Sequence, residues 1–576
     1  MKKDRFLYAS ILIIVGISAY SNSFNCSFHF DDIPNIVSNQ AIRDLFNWKA
    51  WIFFNSNRPA GFFTFALNYH FSHLNVFGYH VFNLGIHILN AFLVWELVRL
   101  LFRSPKLKEH PLSASAGQLA FFTALLFVVH PLMTESVTYI VQRLVSLASM
   151  FCLLSMVLFM QGMLRETKVL RLACYAGSIV AALLGFLTKE TAFSLPFLMI
   201  MIYLFFFSDR KSFSRISSLA LIIILLSVFS FVALMAFNTG KYFSVIPPRE
   251  GHPYSITPLH YYYTQINVLV TYLRLILLPV NQTLDYNYAM ATSMAGLHIL
   301  LNLACLLLLL SLSIWLFKRD RLVSFGILWF FICIAPQALV PRSNFIFEHR
   351  AYLSSTGIIL DWILFIYYVF GRINPVNRSR YVPGTGFLSL AACLLLIQCF
   401  AFAWMTHKRN IVWRSEYSLW SDCLQKAPGS ARAMVNLGSE QISRQEYPMA
   451  LNNFDKAISI SPLYLQAWHN RAAIKVSLGD NKKAIEDLNF VILHDPAFID
   501  SYIIRGIAFR NLKKYDESIH DFTEALSISS ERPDAYFQRG LSLWMEGRNE
   551  DALKDILRAA SMKDQDAISF LQRNLR

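Results

Sequence analysis

Up to residue 405 the chain is a succession of apolar runs of about 17–25 residues, each long enough to cross a hydrocarbon core about 30 Å thick as one helix. Backbone in lipid must satisfy its own hydrogen bonds, so runs of this length leave a helical bundle as the fold. Only 15% of the 576 residues are charged, against roughly 25% in soluble domains. The shortfall lies before residue 406. Candidate spans are roughly 6–21, 76–102, 117–133, 137–164, 172–188, 191–208, 216–237, 296–317, 322–340, 352–371 and 385–405, eleven in all. The first has no small-residue cleavage site behind it and reads as a retained helix rather than a signal peptide.

The formal net charge of +15 does not point to nucleic acid. The excess sits in short loops between apolar runs: Lys2/Lys3/Arg5, Arg103/Lys106/Lys108, Arg165/Lys168/Arg171, Arg210/Lys211/Arg215, Lys318/Arg319/Arg321 and Arg372/Arg378/Arg380. Such clustering marks cytoplasmic loops. A twelfth apolar stretch, Tyr261–Val280, would reverse every later segment if it crossed. The basic loops on both sides demand one orientation, so this stretch is expected to be re-entrant or interfacial. Its flanking prolines (Pro247, Pro248, Pro253, Pro258, Pro279) fit an interrupted element. The N-terminus then faces the cytoplasm and the C-terminus the outside. The eight cysteines show neither CxxC nor zinc spacing, and most lie in apolar helices.

Beyond residue 430 a 34-residue period takes over, with repeats beginning at Ala431, Leu465, Ile499 and Pro533. The eighth position reads Gly438, Ala472, Gly506, Gly540 and the twentieth Ala450, Ala484, Ser518, Ala552. Small residues there let paired helices approach, and Pro462 and Pro496 end the second helix. This is the tetratricopeptide pattern, which forms an α-solenoid. The chain therefore divides into a membrane domain (1–405), a connecting half repeat (406–430) and four repeats (431–576). The whole is all-α.

The candidate chemistry lies on the expected outer face. Asp31 and Asp32 follow the first span. They would suit a turn ahead of Pro34, but the aromatic loop that follows (Phe46, Trp48, Trp51, Phe53, Phe54, Phe62, Phe63) would hold them over the membrane, where a carboxylate can act as a base. Arg58 reads equally as a phosphate contact or a turn. His80, Asn83, His87 and Asn90 share one helical face, as interhelical hydrogen-bonding groups do. His130 and Glu135 sit at the outer turn between the third and fourth spans, with Arg143 one or two turns into the fourth, and Lys189–Glu190 occupies the next outer turn. Asp285 follows the interfacial stretch, and Glu348, His349 and Arg350 precede the tenth span. Arginine and lysine suit a phosphate, Arg as a fork and Lys as a point charge. Carboxylates and cations from six outer segments are what transfer from a lipid-phosphate sugar would use. One carboxylate deprotonates the acceptor hydroxyl, cations stabilise the departing phosphate, and the sugar carbon is attacked once with inversion.

The stretches FHFDDIPNIVSN, RPAGFFTFALNYHF, FGYHVFNLGIHILN, VVHPLMTESVTYIVQR, GFLTKE, LDY and EHRAYLSS resemble the transmembrane and tetratricopeptide-repeat O-mannosyltransferases and their bacterial relatives, of the GT-C class. The resemblance implies transfer of a hexose, mannose in the animal members, from a polyprenyl-phosphate sugar to a hydroxyl of a protein. It gives the role of base to Asp31 or Asp32 without separating them. It gives donor binding to His130/Glu135, Lys189/Glu190 and Glu348/His349/Arg350. The animal enzymes carry longer repeat arrays, which leaves the acceptor open. The compact chain looks bacterial, so that the donor would be an undecaprenyl-phosphate sugar and the repeats periplasmic; in a eukaryote they would lie in the lumen of the endoplasmic reticulum. No cofactor or resident metal is expected, though Asp31, Asp32 and Asp285 would bind a divalent ion if they converged. Expected partners are the lipid-linked sugar and a protein held by the repeats. Two other functions compete: a non-catalytic scaffold that uses its repeats to assemble an envelope or secretion complex, and a polysaccharide ligase or polymerase.

Overall fold

The computed structural model describes residues 2–208, 256–372 and 385–574. Every element among these residues is helical. They divide into two compact units, with the division falling at Asp422–Cys423 inside the helix Glu416–Lys426.

In the first unit eight helical segments are long and apolar enough to cross a membrane: Val76–Arg103, Pro111–Val129, Ile140–Leu164, Lys168–Phe186, Glu190–Phe207, Leu297–Leu316, Arg321–Ala338 and Leu390–Val412. Arg5–Tyr20 and Ser355–Val369 are apolar but shorter. The expected eleven spans are thus not all met among the described residues, and the candidate span 216–237 lies outside them, with Arg210, Lys211, Arg215 and Arg378. From Leu119 onward the helix Ala116–Val129 is buried all round, since its residues there are apolar on nearly every face.

Polar residues on the helix Val76–Arg103 turn inward. Asn83 Nδ2 donates to the carbonyls of Val137 and Ile140, and His80 Nε2 to that of Cys26. His87 and Asn90 both reach the Tyr352 hydroxyl, at 2.7 and 3.0 Å. These bonds tie the helix to neighbouring segments, as the spacing predicts, and they hold the turns that follow Val129 and Phe347.

Pro258–Leu277 is one uninterrupted helix, capped by the Thr257 side chain. The interruption suggested by the flanking prolines is absent within it, because Pro258 occupies the first turn, where no donor is missed. Tyr261 donates to the Gln337 carbonyl, Gln265 to Phe345 and Tyr272 to Phe347, while near its last turn the Ile276 carbonyl accepts from His130. Asn302, inside the helix Leu297–Leu316, donates to Asn267. The helix is thus tied to the turn after Ala116–Val129, to the end of Arg321–Ala338 and to the segment that precedes Glu348.

The second unit is four antiparallel helix pairs, Ala431–Ser443/Tyr447–Ile460, Leu465–Ser477/Asn481–His494, Ile499–Asn511/Tyr515–Ile528 and Pro533–Glu546/Asn549–Ser561, closed by Gln565–Asn574. Gly438, Gly506 and Gly540 lie where a Cβ would come within 2.6, 2.9 and 2.7 Å of Phe454, Phe522 and Ile556. That close approach is why the eighth position stays small. A further 34-residue register is electrostatic. Arg471, Arg505 and Arg539 each grip one aspartate in a two-pronged bond (Asp487, Asp521, Asp555). Each also extends Nη1 to the preceding repeat, at Asp455, Asn489 and Thr523.

Candidate functional site

Two adjacent aspartates differ in burial. Asp32 is fully buried. Its Oδ2 accepts the His29 N–H at 2.9 Å and its Oδ1 the Val141 N–H at 2.6 Å. Burial raises this carboxyl to about 7, against the pull of the His29 bond. Asp31 is half-buried. Its N–H donates to the Tyr139 hydroxyl at 2.8 Å and its carbonyl accepts from Asn35. The Tyr139 ring in turn stacks on Trp413, with centroids 5.2 Å apart. Phe30, just before them, has φ +41°.

A cationic cradle forms from four separate segments. Arg58 Nη2 reaches Glu190 Oε1 at 2.7 Å, and Arg342 Nη2 approaches the same oxygen at 3.7 Å. Lys189 Nζ donates to Gln142 Oε1 at 2.8 Å, and Arg350 Nη1 to the Phe345 carbonyl at 3.1 Å. Burial, then the charge of Arg58, brings the Lys189 ammonium down to about 7, with Arg342 and Arg350 acting in the same direction. Arg58, Arg342 and Lys189 thus act on one carboxylate, with the charge of Arg350 felt at Lys189 and Arg342, leaving an excess of positive charge that an anion would relieve. From Glu190 and Arg342 a cavity of about 420 Å³ opens between the helices Leu195–Ile202 and Arg321–Ala338, lined otherwise by apolar residues including Phe193, Phe197, Phe331 and Leu339.

The segment 139–142 joins the Asp31–Asp32 loop and the cradle. Tyr139 holds Asp31, Val141 holds Asp32 and Gln142 holds Lys189. Asn83 steadies the segment from below through the Ile140 carbonyl.

The remaining candidates are consumed internally. Glu348 accepts from Gln282 Nε2, the Thr283 N–H and the Tyr286 hydroxyl at 2.8, 2.9 and 2.6 Å. Glu135 accepts the His349 N–H and faces His349 Nδ1 at 2.7 Å. Burial raises both carboxyls, while burial and the nearby cations, Lys189 first, hold His349 neutral. His130 spans the Ile276 carbonyl and the Leu132 N–H, and burial lowers it to about 4. Arg143, expected at the donor phosphate, is fully buried. It bonds Asn83, Asn68 and the carbonyls of Thr64 and Tyr79, between the rings of Phe65 and Phe82. It braces the bundle and is turned away from the cradle. Asp285 accepts the Asn287 N–H on a half-exposed turn. Among the described residues no three His, Cys, Asp or Glu side chains gather as a metal site would need, so Asp285 does not join Asp31 and Asp32 in one. Arg342 and Tyr139 were not singled out from the sequence. Arg342 had a signal in being the other arginine of the loop that carries Arg350.

Comparison with known proteins fits this arrangement. Residues 499–532 match the family model described as tetratricopeptide repeat. A protein O-mannosyl-transferase of Caenorhabditis elegans is 26% identical over 79% of this chain and 63% of its own length. Another from Drosophila melanogaster is 26% identical over 78% and 54%, and one from Homo sapiens 23% identical over 83% and 54%. Among solved structures, MamA aligns with 26% of this chain and 88% of its own at 18% identity and a TM-score of 0.24. The chain thus spans 54% to 63% of the length of these curated relatives. Over about four-fifths of its own length it resembles the transmembrane and tetratricopeptide-repeat O-mannosyltransferases, as its motifs imply.

Proposed function

We propose that this protein is an inverting membrane glycosyltransferase that moves a hexose from a polyprenyl-phosphate sugar to a hydroxyl of an extracytoplasmic protein. The observation that carries the proposal is the juxtaposition made by residues 139–142: a partly buried aspartate on one side and, on the other, a partly buried excess of cations that ends at the mouth of an apolar cavity. An apolar cavity ending in cations suits a molecule with a lipid tail and an anionic head.

In this reading Asp31 is the base. Asp32 has both oxygens committed to backbone N–H groups and positions the loop. The acceptor oxygen attacks the anomeric carbon while its proton passes to the Asp31 carboxylate. The carbon–oxygen bond to phosphate breaks, and its electron pair leaves with the lipid phosphate. Arg58, Lys189, Arg342 and Arg350 stabilise the charge that grows there, which is where preorganised cations lower a barrier most. Burial and Arg58 bring Lys189 down to about 7, and a phosphate beside it favours its protonated form. The donor brings its sugar already activated, so no resident cofactor is needed, and chelation is expected to leave the rate unchanged. The N-terminus is cytoplasmic, the site lies on the opposite face, and the repeats beyond it recruit the acceptor or a partner protein.

The test is release of polyprenyl phosphate from a labelled polyprenyl-phosphate hexose by purified protein, with and without extracytoplasmic proteins of the source cell. Acceptor-dependent release supports the reading. Release independent of acceptor, or equal in Asp31→Asn, contradicts it.

A further inference from the structure

Glu416 lies outside every motif quoted above, yet its carboxylate holds the chain immediately before Asp31. Oε1 accepts the Phe30 N–H at 2.9 Å and faces His29 Nδ1 at 3.3 Å, while Oε2 accepts the Trp420 indole N–H. The other ring nitrogen of His29 is 2.5 Å from the Trp413 carbonyl. Both nitrogens of a buried imidazole thus face acceptors, and only the imidazolium supplies a donor to each. Phe30 sits between these contacts at φ +41°, a conformation that a bulky residue keeps only when its surroundings impose it. The surroundings here are Glu416 and His29.

The same stretch of chain braces the loop further back. Asn410 is fully buried. Its Nδ2 donates to the Ala19 carbonyl and to Asn22 Oδ1, and its Oδ1 accepts from the Thr138 hydroxyl next to Tyr139. Residues 410–416, where the chain leaves its last apolar helix, therefore form one wall of the base loop, and Trp413 completes it by stacking on the tyrosine that holds Asp31.

We infer that Glu416 is a positioning residue for glycosyl transfer: by gripping the Phe30 N–H and the His29 ring it holds the turn that presents the Asp31 carboxylate while Asp32 stays inside. The inference rests on the reading of Asp31 as the base. Glu416 touches neither the cradle nor the cavity, so its loss acts on the chemical step and leaves donor binding alone.

The experiment measures kcat and donor KM of full-length Glu416→Ala, Glu416→Gln and Asp31→Asn in parallel, on the acceptor used by the wild type. Glu416→Ala is expected to lower kcat about tenfold or more with donor KM within about twofold. Glu416→Gln, which keeps an amide oxygen for the Phe30 N–H, should recover part of that loss. A wild-type kcat in Glu416→Ala, or a donor KM that rises in step with the loss, would overturn the inference. If the alanine variant does not fold, Glu416→Gln decides: reduced kcat at unchanged KM supports the role and wild-type kcat overturns it. Full activity in Asp31→Asn would instead remove the base reading and this inference with it. An inactive Asp31→Asn beside a wild-type Glu416→Ala would remove the inference alone.

Discussion

Asparagine at position 31 and asparagine at position 32 should fail in different ways. Both oxygens of Asp32 receive backbone N–H groups inside the protein, at 2.9 and 2.6 Å. An amide offers one oxygen, so its NH₂ must face the N–H of either His29 or Val141. Hydrogen bonds to a charged acceptor contribute about 1.5–3 kcal/mol each and neutral ones about 0.5–1.5. One is lost and one weakened, while relief of a buried charge offsets part of the cost. The net is about 1–3 kcal/mol, paid locally. In Asp32→Asn, amide exchange across 28–33 and 139–142 should therefore quicken by about 5- to 150-fold, and transfer should fall because the loop no longer holds its shape. In Asp31→Asn the side chain is half-exposed, exchange should stay within about twofold of wild type, and transfer should fall by about 10²–10⁴-fold, the range expected for loss of a general base. Mass spectrometry of exchanged peptides alongside the transfer rate reads both quantities. Asp32→Asn with native protection, or Asp31→Asn with native activity, would refute the division of labour.

Three further outcomes follow from the geometry. Lys189 is held near 7 by burial and by Arg58, so its charge is present below that pH and lost above it; donor KM should rise several-fold from about pH 6.5 to 8.5, and a flat profile would contradict a phosphate role for this lysine. Arg342→Ala should raise donor KM about tenfold or more, as loss of a charge-assisted phosphate contact does, with acceptor KM unchanged; an acceptor effect instead would place the phosphate elsewhere. In the repeats, Asp521→Ala strands the Arg505 guanidinium, whose partner carboxylate is 2% exposed, at a cost of about 2–4 kcal/mol moderated by the solvent and by Asn489; exchange protection of 499–528 should fall about 30-fold or more, and native protection would show that the arginine register carries no stability.

The two kinds of periodicity were legible because each is a packing rule repeated along the chain. Apolar length locates the helices Val76–Arg103 and Leu297–Leu316 within a residue or two, and steric need for a small residue exposes Gly438, Gly506 and Gly540 as one position of a 34-residue unit. The inward polar face of His80, Asn83, His87 and Asn90 follows from spacing for the same reason. Burial is where such reading ends. Asp31 and Asp32 are alike in sequence but differ in burial, since the N–H of His29 and the distant N–H of Val141 draw Asp32 inside. Arg143 suggested a phosphate ligand because it stands at an outer turn, but Asn68 and Asn83 from two other helices draw its guanidinium inward. The reading of Tyr261–Val280 as re-entrant or interfacial rested on the charge of loops far from it, whereas the continuity of the helix Pro258–Leu277 depends on Pro258 falling in the first turn. Glu416 had no local signal, because its partners His29 and Phe30 lie at the other end of the membrane domain.

The central claim is that Asp31 and the cradle work on one lipid-phosphate sugar. The most direct measurement is transfer by purified protein from a panel of polyprenyl-phosphate hexoses to extracytoplasmic proteins of the source cell, with the anomeric configuration of the product determined by NMR for wild type and absent product sought in Asp31→Asn. The account predicts a hexose joined through a hydroxyl oxygen, with configuration opposite to that of the donor, made by the wild type alone. A product of retained configuration, or equal product from Asp31→Asn, would contradict it.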